Sequence, residues 1–162
     1  DACVLHASYV DIGGRAILFT GPSGVGKSTQ AGLWVRHAGV EVINGDRAVL
    51  REHHGRWHVF GYPSCGTSGI CINRTLPLKA VVVLTQGKEN RVVLLSAAPA
   101  IRALVSATEF YPWSQTEFDL ALRTATRIAA QTPVLQLVCR PDGQAVSVLK
   151  QYLEGIQNHD SV

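Results

Sequence analysis

The chain has 162 residues, 46% of them hydrophobic and 17% charged, with a net charge of +3. That length suits one domain over residues 1–162, and the composition is globular, not disordered. The positive balance is too small to argue for nucleic acid or an anionic membrane surface, and neither is expected as a partner.

Val4–Ile12 is apolar and β-branched, which predicts a strand, and Gly13-Gly14 a hairpin turn into a short buried strand, Ala16–Thr20. A glycine-rich loop follows, then a helix over Ser28–His37 stopped at Gly39. Val40–Ile43 predicts a second buried strand that ends at Asn44-Gly45-Asp46. Ala48–Arg51 and Arg56–Phe60 read as strands joined at His53-His54-Gly55. Gly61–Arg74, dense in Gly, Ser, Thr, Pro and Cys, predicts a functional loop. Lys79–Thr85 is the most apolar strand, with Arg91–Leu95 expected as its hairpin partner across the polar turn Gln86–Asn90. Helices are expected over Ala97–Ala107 and Ser114–Ala130, a last strand over Pro133–Cys139 and a closing helix over Gln144–Leu153. Together these predict an α/β fold with a mixed sheet.

No apolar run approaches the roughly 20 residues that span a bilayer. No signal peptide is legible. The four cysteines, Cys3, Cys65, Cys71 and Cys139, match no metal or C-x-x-C spacing and read as small buried residues of a reducing cytoplasm. The chain starts at Asp1 and contains no methionine, so a processed chain with a preceding segment is expected.

Gly21-Pro22-Ser23-Gly24-Val25-Gly26-Lys27-Ser28 fits the Walker A pattern in full, with a predicted strand before it and a helix after it. Such a P-loop turns consecutive backbone N–H groups toward phosphate oxygens, and the helix N-terminus adds partial positive charge. Lys27 supplies charge to the β- and γ-phosphates, Ser28 a hydroxyl for Mg²⁺, and Thr29 a cap or an α-phosphate contact. The chain is therefore expected to bind ATP or a related nucleotide with Mg²⁺.

Asp46 follows the strand after the P-loop helix, where a carboxylate can share the Mg²⁺ shell or take a proton from an attacking hydroxyl. The Ala80–Leu84 strand carries no Walker B carboxylate, which leaves Asp46 as the best catalytic candidate; the competing reading is a turn cap paired with Arg47. His6 lies on the strand that hairpins into the P-loop strand and can reach the phosphate end; a satisfied core histidine is the alternative.

His6, then Gly13–Gly21, the P-loop, and Val42–Arg47 resemble, in their order, the catalytic domains of HPr kinase/phosphorylases, which share a fold with ATP-dependent phosphoenolpyruvate carboxykinases. The resemblance implies that His6 neighbours the transferred phosphate and that Asp46 is the general base for an acceptor serine. Gly61–Asn73 and Pro77–Val81 look like a compact branch of that group that includes lasso-peptide tailoring kinases. It implies a protein or peptide partner carrying a serine, and it allows a homo-oligomer, as full-length members form. The chain departs from the family at Cys65–Gly69, where a metal-holding carboxylate has no counterpart, and the family's extra N-terminal domain is not matched.

The Gly66–Gly69 backbone, with the Thr67 and Ser68 hydroxyls, offers a phosphate or acceptor cradle, and Arg74 and Lys79 flank it as candidate clamps. Two alternatives stand beside a serine kinase. One is a small-molecule P-loop kinase with the 114–130 helix as a lid bearing Arg123 and Arg127. The other is a non-catalytic nucleotide-dependent regulatory module.

Overall fold

A computed structural model describes residues 2–157. The strands are β1 (Ala2–Asp11), β2 (Ala16–Thr20), β3 (Glu41–Asn44), β4 (Arg47–His53), β5 (Arg56–Phe60), β6 (Thr75–Gln86), β7 (Arg91–Leu94) and β8 (Val134–Cys139). The helices are α1 (Lys27–Ala38), α2 (Ala97–Ala107), α3 (Gln115–Gln131) and α4 (Gly143–Gln157), with a 3₁₀ turn at Gly66–Ser68. The mixed α/β architecture is the one the sequence predicts.

β1 is long enough to serve two sheets. Its first half, Ala2–His6, pairs antiparallel with β4, and its second half, Ala7–Asp11, with β2. Tyr9–Asp11 also pairs with β3 on the other side. β6 divides in the same way: Thr75–Pro77 pairs with β5, and the rest runs parallel to both β2 and β8. β1, β4, β5, β6 and β2 thus close a ring, with β3, β8 and β7 attached outside it. The β1 changeover falls between His6 and Ala7, which sets His6 at a corner.

Alternation along the strands builds two cores. Ala16 and Leu18 of β2 face a cluster closed by Leu104 of α2 and Ile128 of α3. Ile17 and Phe19 face the opposite cluster, closed by Trp34 of α1 and Leu149 of α4. β2 is buried at every position because both faces are covered.

Two expectations change. β7 is not the hairpin partner of β6: it pairs antiparallel with β8, which lies between them. β6 has apolar residues on both faces and accepts a parallel strand on each side, so the turn after it leads past its neighbour. Cys65 and Cys71 are joined in a disulfide, with Cα atoms 4.8 Å apart, and are not free buried thiols; Cys3 and Cys139 are free. Among the described residues, no helix is long and apolar enough to cross a membrane.

Candidate active site around the phosphate loop

β2 ends at Thr20 and the chain turns through Gly21–Gly26 into α1. Gly21 has φ 141°, and a Cβ there would sit 3.1 Å from Val25 Cγ1 and 3.2 Å from the Leu84 carbonyl, so the first turn of the loop needs glycine. The Lys27 ammonium folds back and donates to the carbonyls of Gly21 (3.1 Å) and Pro22 (3.2 Å). The lysine is only 9% exposed. Burial lowers its pKa, and the Asp46 carboxylate partly offsets that. Ser28 and Thr29 stay exposed at the first turn of α1.

Asp46 is placed by its backbone. Asn44, fully buried, accepts from the N–H groups of Asp46 and Arg47 through Oδ1, both at 2.9 Å. Its Nδ2 donates to the carbonyls of Tyr62 and Ser64 at 3.0 Å, tying the turn to the next loop. The Ser8 hydroxyl donates to the Gly45 carbonyl (3.0 Å), and the Ala7 N–H to the Asp46 carbonyl (2.9 Å). The carboxylate then meets two partners. His6 Nε2 lies 3.1 Å from Oδ1, and Arg47 pairs with Oδ2. Arg47 is held from the far side by Glu109, at 2.6 Å from Nε, which with Asp46 raises its pKa and keeps it cationic.

His6 is held through its own carbonyl, which accepts from the Thr20 hydroxyl at 2.9 Å. The last residue of β2 therefore ties the P-loop strand to the histidine. One cleft of about 360 Å³ is lined by His6, Ser23, Lys27, Ser28, Asp46 and Thr67, among others. The structure thus gathers the candidates from three separated stretches: His6, the P-loop, and Asp46.

The 3₁₀ turn closes the remaining side. Gly66 has φ 55°, and a Cβ there would lie 2.6 Å from Asp46 Cβ, so the loop packs directly on the candidate base. Thr67 reaches the cleft. Ser68 does not share that role: its hydroxyl donates to the Cys65 carbonyl at 2.8 Å and accepts from the Ile70 N–H at 3.2 Å.

Arg74 and Lys79 lie elsewhere. Arg74 pairs with Asp11 and Glu41, at the end of β1 away from the phosphate loop. Lys79 lies beside the β2 start, between residues that pair with Ala16 and Ile17, and burial and Arg15 lower its pKa. Helix α3 is no lid: it packs on α2, and its Arg127 pairs with Glu52 and lies 5.7 Å over the Trp57 ring.

Asn44, Ser8, Thr20 and Glu109 were not singled out from sequence as site residues. The Asn-Gly-Asp turn was a legible signal for Asn44, because an Asn side chain commonly caps the backbone two residues on. The other three are set by pairings that no local pattern encodes.

As a metal site, the Ser28 hydroxyl and the Asp46 carboxylate face one cleft, a donor set that suits Mg²⁺ completed by water and phosphate oxygens. Among the described residues no group of three or more His, Cys, Asp or Glu could hold a metal by itself.

The mixed α/β fold is that of an HPr kinase domain. The structure of the HPr(Ser) kinase/phosphatase from Coxiella burnetii matches with a TM-score of 0.56 at 12% identity, covering 98% of this chain and 94% of that one. At that identity the likeness is one of fold. The chain belongs to the family described as SynChlorMet cassette protein ScmC, whose model matches residues 1–142. No curated protein matches it.

Proposed function

We propose that the chain is a Mg²⁺- and ATP-dependent kinase that transfers the γ-phosphoryl group to a serine hydroxyl of a small protein or peptide. The observation that carries the reading is the single cleft in which His6 and Asp46 face Lys27 and Ser28 of the P-loop. The P-loop backbone and Lys27 would bind the phosphates, and Mg²⁺, held by Ser28 and through water by Asp46, would supply countercharge. Asp46 would take the proton of the acceptor hydroxyl. His6 and Arg47, 3.1 Å from and paired with its two oxygens, would aim the carboxylate. Thr67, on the turn packed over Asp46, would orient the acceptor. A cytoplasmic setting goes with ATP as donor.

The test is transfer of label from γ-labelled ATP with Mg²⁺, alone and with peptides and proteins encoded beside this one. Phosphoserine on a partner supports the reading. Label that appears only on a small metabolite sinks it in favour of a small-molecule kinase. Nucleotide binding without transfer to any acceptor, unchanged in Asp46→Asn, would favour a regulatory module. Lys27→Ala is expected to abolish binding or turnover.

A further inference from the structure

The turn that covers Asp46 is closed by a covalent bond of its own. Cys65 and Cys71 bracket Gly66–Ile70, with their Cα atoms 4.8 Å apart, inside the range a disulfide spans. The stems on either side are tied down without that bond. Asn44 Nδ2 donates to the carbonyls of Tyr62 and Ser64, the Ile72 N–H donates to the Ile43 carbonyl at 2.8 Å, and Asn44 and Cys71 form an isolated antiparallel bridge. The turn itself is held differently. Every residue from Gly66 to Ile70 is exposed, so apolar burial does little to anchor it. The hydrogen bonds of the Ser68 hydroxyl run to Cys65 and Ile70, within the same short loop. Yet this is the turn that sets Gly66 on the Asp46 side chain and Thr67 in the cleft. Ser68 lies as close to Gly45, where a Cβ would come 2.2 Å from its hydroxyl oxygen.

A disulfide stands out in the reducing setting that goes with ATP as donor. Disulfides in such compartments are usually transient, and catalytic or redox-sensing. This one is open to exchange: both cysteines are half-buried, and the run between them is exposed. The free thiols lie apart from it, Cys3 on β1 and Cys139 on β8. Burial pushes the pKa of both upward, which keeps them protonated and poor partners for exchange.

We propose that Cys65–Cys71 is a redox-modification site that gates the acceptor side of the cleft. Oxidised, the loop holds Gly66 and Thr67 against Asp46; reduced by a dithiol, the turn comes away and transfer falls, while phosphate binding on Gly21–Lys27 is untouched. The gating rests on the transfer reaction proposed above. In the exchange a thiolate of the dithiol attacks one sulfur, the Cys65–Cys71 bond breaks, and the departing thiolate takes up a proton. The second thiol of the reductant then displaces the mixed disulfide and closes the reductant into its own disulfide. Two electrons and two protons pass to the chain, and exchange with a more oxidising disulfide reverses the step.

The test compares the full chain oxidised with diamide and reduced with dithiothreitol. Thiol titration of the denatured chain should find two free thiols in the first form and four in the second. Amide hydrogen exchange at Gly66–Ile70 should quicken on reduction and stay unchanged at Gly21–Lys27. Transfer from γ-labelled ATP to a serine acceptor should fall by roughly 10- to 100-fold, the scale of a positioning group displaced by about 1 Å, with ATP affinity unchanged. The double variant Cys65→Ser, Cys71→Ser should match the reduced chain under both conditions. Four free thiols after diamide treatment would overturn the proposal, as would transfer that reduction leaves unchanged or ATP affinity that falls with it. A double variant that still responds to dithiothreitol would overturn it too, because the response would then belong to Cys3 or Cys139. If no acceptor is phosphorylated in either form, the kinase reading falls, and hydrogen exchange still decides the loop: faster exchange on reduction supports its release, and unchanged exchange overturns it.

Discussion

Replacing Asp46 by Asn separates chemistry from structure. The side chain keeps its size and an acceptor oxygen, while the charge and the basicity are lost. The backbone is held independently: Asn44 Oδ1 accepts the residue-46 N–H at 2.9 Å, and the Ala7 N–H donates to its carbonyl at 2.9 Å. The carboxylate and Arg47 are 26% and 32% exposed, so their ion pair contributes at most about 1 kcal/mol. Arg47 retains Glu109. Folding stability should therefore change by no more than about 1–2 kcal/mol, readable in a denaturant melt. Removing a general base costs about 10²- to 10⁴-fold, and 10² alone corresponds to about 2.7 kcal/mol in the transition state. The assay is single-turnover transfer of label from γ-labelled ATP to a serine acceptor, with nucleotide affinity measured in parallel. A variant that binds nucleotide and transfers within threefold of the wild-type rate would refute Asp46 as the base.

Other perturbations address the parts that hold the site. Asn44→Ala removes four hydrogen bonds of a fully buried side chain, at about 0.5–1.5 kcal/mol each, so melts should show a loss of roughly 2–6 kcal/mol, with transfer reduced in the molecules that still fold. Gly66→Ala and Gly69→Ala both place a Cβ at positive φ, 55° and 68°, and each should lose about 1–2 kcal/mol by melt. Only Gly66→Ala also pushes on Asp46, so only it should lose most of the transfer; equal activities would refute the contact. Lys27, its pKa lowered by burial, should be pushed back up by a bound phosphate. Nucleotide binding should then take up protons, increasingly as pH rises toward the lowered pKa, which calorimetry in two buffers of different ionisation enthalpy reads out. The Cys3 thiol is pushed up to about 12 from 9.0 by burial, so the folded chain holds that proton where the unfolded chain has lost it. Its contribution to stability is complete below pH 9.0 and is lost as pH rises toward about 12, and alkaline melts of Cys3→Val should show a shallower decline than wild type.

The P-loop was legible because its physics is local: the glycines, Lys27 and Ser28 are neighbours in sequence and their roles follow from a strand-to-helix turn. The mixed sheet was legible for the same reason, as its hairpin at Gly13-Gly14 and its apolar strands are short-range signals. What was not legible depends on pairing at a distance. The turn after β6 looks like a hairpin connection, yet β8, from some fifty residues later, takes the edge beside β6. Arg74 is near the Gly66–Gly69 loop in sequence, but the chain between them crosses to the other end of β1, where Asp11 and Glu41 hold the guanidinium. The six-residue separation of Cys65 and Cys71 matches no common motif, so only the folded loop shows that they meet.

The division of the sheet gives the P-loop two different flanks. On one flank, β6 and β8 run with β2, and their ends leave a cavity beside the loop. On the other flank, β1 runs against β2 and changes partner after His6, so a corner replaces a straight parallel neighbour. That corner is where the His6 backbone carbonyl can accept from Thr20 of the P-loop strand while its side chain meets a residue from the β3–β4 turn. Asp46 is accordingly fixed by groups from β1, β4 and the Cys65–Cys71 loop, none of which belongs to the phosphate loop itself. Changes confined to those three supports should alter transfer without altering phosphate affinity, whereas changes in Gly21–Lys27 should alter both. A support variant such as Gly66→Ala that weakened tripolyphosphate binding as much as transfer would mean that the two flanks are not separable, and that Asp46 serves binding before it serves chemistry.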